Sequence, residues 1–249
     1  MTDKQTNNES RSSASGFKAT GTPDLRDNLL DEIDQLPDDM LDPRKRLARM
    51  VHREIANKPF SELTAVTYDH EGAQLAGHVM LDTLEEQGFS VDDFDAVGAL
   101  TTAAIPLVSA VMHAAASRGQ SVDGFVMDFV YPSIKGPSIE GKRVILLDAW
   151  LSEKSFIQTS SLVTLQNGNE LNLDFAILDK LGADLLAIAS LVGSLGIGSA
   201  GTEGSSSNET GSQDNFDAAS SSDEDLFISV INPITGVQRS VRFIPLFRG

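Results

Sequence analysis

The sequence predicts an α/β domain built on a parallel sheet, and three observations predict it. Between Phe94 and Val192, short apolar runs of strand length alternate with segments whose apolar residues recur at helical spacing. One of those runs, Val144 to Leu147, is continuously apolar after Lys142 and Arg143, as suits a strand covered on both faces. Strand, helix, strand, helix in that order is the pattern of right-handed crossovers in a parallel sheet.

The elements follow in chain order. Arg44 to Asn57 predicts a helix, with Leu47, Met50, Val51 and Ile55 on one side. His70 to Gln87 predicts a second, with Leu75, Val79 and Leu84 inward and Gly88 as its stop. Phe94 to Leu100 reads as a strand. Pro106 to Ser117 reads as a helix closed by Gly119, and Val122 to Val130 as the next strand. Ser155 to Leu165 and Phe175 to Leu181 look helical, and Asp184 to Val192 is another buried strand. Leu226 to Phe247 reads as two strands around the turn signal Asn232-Pro233-Ile234-Thr235-Gly236.

Composition narrows the function. The 249 residues carry 19 Lys plus Arg against 36 Asp plus Glu, a formal charge of −17, with no Cys. The missing Cys excludes disulfides, thiolate metal sites and cysteine nucleophiles. The acidity argues against nucleic acid and against anionic membranes as partners. The polar start of the chain lacks a signal-peptide pattern, and the longest apolar run, near Leu185 to Ile197, is too short to span a bilayer. A cytoplasmic protein is therefore expected. Residues 1–22 read as a disordered arm, 23–197 as the domain, 198–224 as an acidic Ser/Gly-rich linker, and 225–249 as a C-terminal β-hairpin packing on the domain. Arg44, Lys45, Arg46, Arg49 and Arg53 form a basic helix face, either solvated beside the acidic stretch Asp24 to Asp42 or used for a partner.

Ligands of an open parallel sheet sit beyond the carboxyl ends of its strands, so three strand ends hold the candidate site residues. In Gly98 to Pro106, small residues lead into a helix, and Thr101 or Thr102 either caps that helix or lies where backbone N–H groups meet an anion. In Val144 to Ser155, the apolar run delivers Asp148 to the carboxyl edge, with Ser152 and Ser155 in the following turn. Asp148 there either caps a turn, accepts hydrogen bonds from sugar hydroxyls or holds a metal-bound water. Trp150 beside it either stacks on a base or fills the space between sheet and helix. In Val130 to Gly141, a loop carries Lys135 as its only basic residue.

These three segments, in this order and spacing, resemble the type I phosphoribosyltransferases, most closely the orotate phosphoribosyltransferases, over roughly Phe60 to Val192. Lys142-Arg143-Val144-Ile145-Leu146-Leu147-Asp148 looks like the strand opening the family's phosphoribosyl-diphosphate motif. Gly98 to Pro106 is similar to its diphosphate loop, and Leu181-Gly182-Ala183-Asp184 to the segment after the motif's helix. The resemblance implies a Rossmann-like five-stranded parallel core with a small hood and flexible tails, and a homodimer. It also implies transfer of ribose 5-phosphate from phosphoribosyl diphosphate to a base with Mg2+. It assigns Asp148 to the ribose hydroxyls, Ser152 and Ser155 to the 5-phosphate, Thr101 and Thr102 to the diphosphate, and Lys135 to the leaving group; Lys154, standing where the family has a glycine, is expected to attract the phosphate by its charge.

The motif is also altered. The family's two adjacent acids correspond to Asp148 and Ala149, and its Thr-Thr-Gly cradle to Ser152, Glu153, Lys154 and Ser155, followed by Phe156. Between Pro59 and Ile134, one basic residue, Arg118, faces eleven acids, which opposes a polyanionic substrate. Two functions are therefore expected: a divergent, impaired phosphoribosyltransferase of pyrimidine nucleotide metabolism, or a non-catalytic relative serving as nucleotide sensor or interaction scaffold.

Overall fold

The computed structural model describes residues 36–37, 40–56, 58, 61–128, 133–152, 176–194, 226–231 and 237–248. Residues 1–22, 198–224, Lys154, Ser155 and the helix expected over Ser155 to Leu165 lie outside them.

Among the described residues, three helices precede the first strand. α1 (Pro43–Ile55) starts where the Asp42 carboxylate accepts from the Lys45 N–H at 3.0 Å, with Pro43 at its first turn. α2 (Thr64–Thr67) is a single turn. α3 (His70–Glu86) is capped by Asp69, which accepts from the N–H groups of Glu71 and Gly72 at 3.0 and 2.9 Å. It ends before Gly88, whose φ of 86° turns the chain out of the helix. β1 (Ala96–Ala99) leads through a 3-10 turn, Thr102–Ala104, into α4 (Ile105–Ser117). β2 (Asp123–Asp128), β3 (Ser133–Lys135), β4 (Arg143–Ser152), α5 (Ala176–Lys180), β5 (Asp184–Ser194), β6 (Leu226–Ile231) and β7 (Gln238–Arg248) complete the order.

The strands make one seven-stranded sheet in the order β3-β2-β1-β4-β5-β7-β6. β2, β1, β4, β5 and β7 run parallel, so the expected α/β parallel core is present. β3 and β6 close the two edges antiparallel. The C-terminal hairpin thus extends the sheet itself, because β7 pairs in register with β5 from Ala187↔Arg242 to Gly193↔Arg248.

Each face of the sheet has its own core. Val97, Ala99, Ile145, Leu147, Ala187 and Ala189 pack with Leu47, Val79, Leu84, Leu107 and Val111 of α1, α3 and α4. Val144, Leu146, Ile188 and Phe243 pack on the other side with Leu178 of α5 and with Phe125 and Ile139. β4 is central and buried on both faces, as its unbroken apolar run demands. At the amino ends of the strands, Arg143 binds both carboxylate oxygens of Asp95, with its own N–H also on Oδ2 at 2.8 Å. Lys142 holds Asp123 at 2.6 Å. These two residues, part of the recognised motif, therefore clamp the strand starts and lie opposite the carboxyl edge. On the basic face of α1, Arg44 reaches Glu86 of α3 at 2.6 Å and Arg46 pairs with Glu71 of α3, whereas Lys45 pairs with Asp42 and Arg49 donates to the Leu36 carbonyl.

Gly98 is a packing position. A Cβ built on it would lie 2.8 Å from Leu146 Cδ2 and closer still to the Phe125 ring. The space that a small residue leaves here is filled by Phe125, and no ligand needs it. Gly98→Ala is expected to destabilise by about 1–3 kcal/mol through overpacking, read as a lower urea midpoint with unchanged m. Gly98→Ala with Phe125→Leu is expected to recover part of the loss.

Candidate functional site

The crevice at the carboxyl ends of β1 and β4 is the topological switch point of the sheet. From β1 the chain proceeds to β2 on one side, and it returns to β4 on the other. Helices leave in opposite directions at such a point and open a crevice, where ligands of this fold class bind. Asp148 and Thr101 meet there.

Asp148 does not end its strand. β4 runs on to Ser152, pairing Trp150 with Val192, Leu151 with Gly193 and Ser152 with Ser194 of β5. The sequence reading stopped the strand at its first charged residue. The apolar Ala149-Trp150-Leu151 and the length of β5 carry it further, so Ser152 is the last strand residue and not part of a turn. Trp150 is buried in the helix-side core, the packing alternative of its two readings. Asp148 is 2% exposed.

Its carboxylate has two donors. The Thr101 hydroxyl donates to Oδ1 at 2.7 Å, and the Ala149 N–H donates to the same oxygen at 2.7 Å. Thr101 arrives there because the Leu100 N–H bonds the Leu147 carbonyl at 2.9 Å, continuing the β1–β4 ladder past the end of β1. The Thr101 side chain makes no capping bond at the 3-10 turn. Of its two alternatives, capping is therefore not the one adopted. Thr102 is exposed at the first position of that turn. Among the described residues, Oδ2 of Asp148 accepts no bond.

Lys135 lies elsewhere. The connection read as a loop contains β3, and Lys135 pairs across from Val126 in the row that continues through Ala99 to Leu147. Three strand spacings, about 14 Å, separate it from β4. Its ammonium is held by Asp128 at 2.6 Å. The structure thus brings Asp148 and Thr101 together, sets Ser152 four residues along the same strand, and leaves Lys135 across the sheet. Ser190 was missed. It is fully buried, sits beside Asp148 on β5 and donates to the Val192 carbonyl at 2.9 Å. The signal was a lone hydroxyl inside the apolar run from Leu185 to Val192.

Burial pushes the Asp148 carboxyl up to about 7, against the pull of the Thr101 and Ala149 hydrogen bonds, which favour the ionised form. Near neutral pH it is poised to accept hydrogen bonds as a carboxylate or to donate one as an acid. Because the folded value lies above the unfolded one, stability is greatest below about pH 4 as far as this group is concerned, and it is lost as pH rises to about 7. The full loss is on the order of 4 kcal/mol. Asp148→Asn keeps an oxygen for Thr101 and Ala149 and removes the charge. It is expected to raise the urea midpoint at pH 8, with the advantage shrinking toward pH 4; a difference independent of pH would contradict the assignment. Thr101→Val removes a donor to the charged form, so the fall in stability with pH should move to higher pH.

No family model matches the chain. Over 95 residues, 36% of this chain and 50% of the relative, it is 38% identical to the orotate phosphoribosyltransferase of Streptomyces avermitilis. Over 139 residues, 53% of this chain, it is 32% identical to that of Streptomyces coelicolor, of which the match covers 66%. The chain thus spans half to 66% of the length of these curated relatives. Among solved structures, the Mycobacterium tuberculosis H37Rv orotate phosphoribosyltransferase in complex with inorganic phosphate superposes with a TM-score of 0.45 at 20% identity. That match covers 61% of this chain and 77% of the other. Over the matched residues, the sequence is thus similar to the orotate phosphoribosyltransferases of the two Streptomyces species.

Proposed function

We propose that this protein binds phosphoribosyl diphosphate or a nucleotide by its ribose 5-phosphate over the β1–β4 crevice, and that its transfer of ribose 5-phosphate to orotate is impaired. The observation that supports this reading is Asp148: a buried carboxylate at the switch point with Oδ1 occupied and, among the described residues, no donor on Oδ2. Oδ2 takes one ribose hydroxyl. The neighbouring position, an acid in the family the chain resembles, is Ala149, so the second hydroxyl lacks its carboxylate.

The transfer itself breaks the bond from ribose C1 to the diphosphate oxygen and forms one from C1 to a base nitrogen, which gives up its proton. Diphosphate leaves with its charge, and that charge needs cations. Lys135 would have to abandon Asp128 to serve there. Among the described residues, no three His, Asp or Glu side chains gather to hold a metal. Mg2+ in this reading arrives on the diphosphate oxygens of the ligand, where it screens their charge. Weak support for the leaving group, with the ribose held at one hydroxyl, favours binding over turnover.

Calorimetry with phosphoribosyl diphosphate and Mg2+, run beside an assay of diphosphate release with orotate and other bases, tests both halves. Binding without turnover is expected, and Asp148→Asn should weaken it about tenfold or more through the lost charged acceptor. Rapid transfer to orotate that disappears in Asp148→Asn would overturn the impairment. Absence of any binding, with folding verified, would overturn the ligand class and leave a scaffold role.

A further inference from the structure

Four guanidinium nitrogens among the described residues are buried without a hydrogen-bond partner: the Nε of Arg46, Arg49 and Arg248, and one Nη of Arg239. Three of these side chains have a partner of their own. Arg46 pairs with Glu71, Arg49 donates to the Leu36 carbonyl at 2.6 Å, and Arg239 lies 3.6 Å from Asp179. Arg248 has neither hydrogen bond nor ion pair among the described residues. A buried, unpaired guanidinium nitrogen is costly, and a group of this kind is usually explained by a missing partner that completes it.

Its place in the fold says what that partner is. Arg248 ends β7, which runs parallel to β5, so it stands at the carboxyl edge of the sheet. Through Gly193 of β5 it shares a row with Leu151, one residue short of the end of β4. Two strand spacings, about 10 Å, separate it from Leu151. The other cations of the sheet are engaged or lie elsewhere. Lys135 is held by Asp128, and Lys142 and Arg143 clamp the amino edge. Arg242 binds the Gln87 carbonyl and side chain at 2.7 and 2.8 Å, lower on the same strand.

We propose that Arg248 is an anion-binding residue of the carboxyl edge, which takes a phosphate group of the sugar phosphate held over the crevice. This rests on the reading that a ribose 5-phosphate binds there, and among the described residues it supplies a cation at that edge that no carboxylate holds. The planar guanidinium fork meets two phosphate oxygens at once, and the phosphate completes the buried nitrogen.

Titration of the full chain and its Arg248→Gln and Arg248→Lys variants with ribose 5-phosphate, and separately with inorganic phosphate, tests the assignment. Arg248→Gln should weaken both ligands about tenfold or more, with Arg248→Lys between it and the wild type because charge is kept and the fork is lost. The melting temperature of ligand-free Arg248→Gln should match or exceed that of the wild type, since a costly unpaired group is gone; a purely structural arginine would lower it. Equal affinities in wild type and Arg248→Gln overturn the role of Arg248 and leave the ligand reading intact. Arg248-dependent binding of inorganic phosphate, with no gain from the ribose, upholds the anion site and overturns the ribose reading. Binding of neither ligand by the wild type overturns both.

Discussion

The structure depends on the pairing of β4 along both of its edges. Every backbone N–H and C=O in the middle of a sheet needs a partner, and β1 and β5 supply them for β4. β5 is long enough to pair as far as Ser152, and that pairing draws Asp148 inside. Once inside, the carboxyl loses water. The Thr101 hydroxyl and the Ala149 N–H restore part of what is lost, both on Oδ1. The raised protonation range and the position of Thr101 both follow from the length of that ladder.

The two ends of the sheet are electrostatically unlike. At the amino ends, Arg143 and Lys142 meet Asp95 and Asp123 in half-exposed pairs, and hydrogen bonds from Arg143 hold the Asp95 carboxyl below its usual range. Exposed pairs of this kind contribute modestly to stability, yet a two-oxygen contact reinforced by a backbone N–H sets how the first residues of β4 align with the start of β1. At the carboxyl ends, charge among the described residues is sparse: Asp148 is buried with no described cation, Asp128 is tied to Lys135, and Arg248 has no described anion. A ligand that brings hydroxyls and a phosphate complements such an edge. One that brings a diphosphate leaving group as well asks for cations that the described residues do not provide.

Much of the fold was legible because it is written in local patterns. The helices over Arg44 to Asn57, His70 to Gln87 and Pro106 to Ser117 were set by apolar residues at helical spacing, with Gly88 and Gly119 at positive φ marking two of the ends. The continuous apolar run of β4 announced a strand with both faces covered. The site was legible in part. Asp148 and Thr101 could be singled out as residues at strand ends, but their contact spans 47 positions of sequence and no local pattern encodes it. Gly98 could be read as room for a ligand, whereas Phe125 from the neighbouring strand occupies that room.

By itself the sequence determined the α/β class, the order of its strands and helices, the acidity that disfavours polyanions, and the residue at the heart of the crevice. Tertiary structure alone decided where β4 stops, since a strand continues for as long as its neighbour offers paired backbone groups. It alone decided that Thr101 would serve Asp148 and not its own helix. It also brought Arg248, about a hundred residues further along the chain, to the same edge of the sheet as Leu151. Helical and strand periodicity are properties of neighbours in sequence. Burial, ionisation and the company a side chain keeps are properties of neighbours in space.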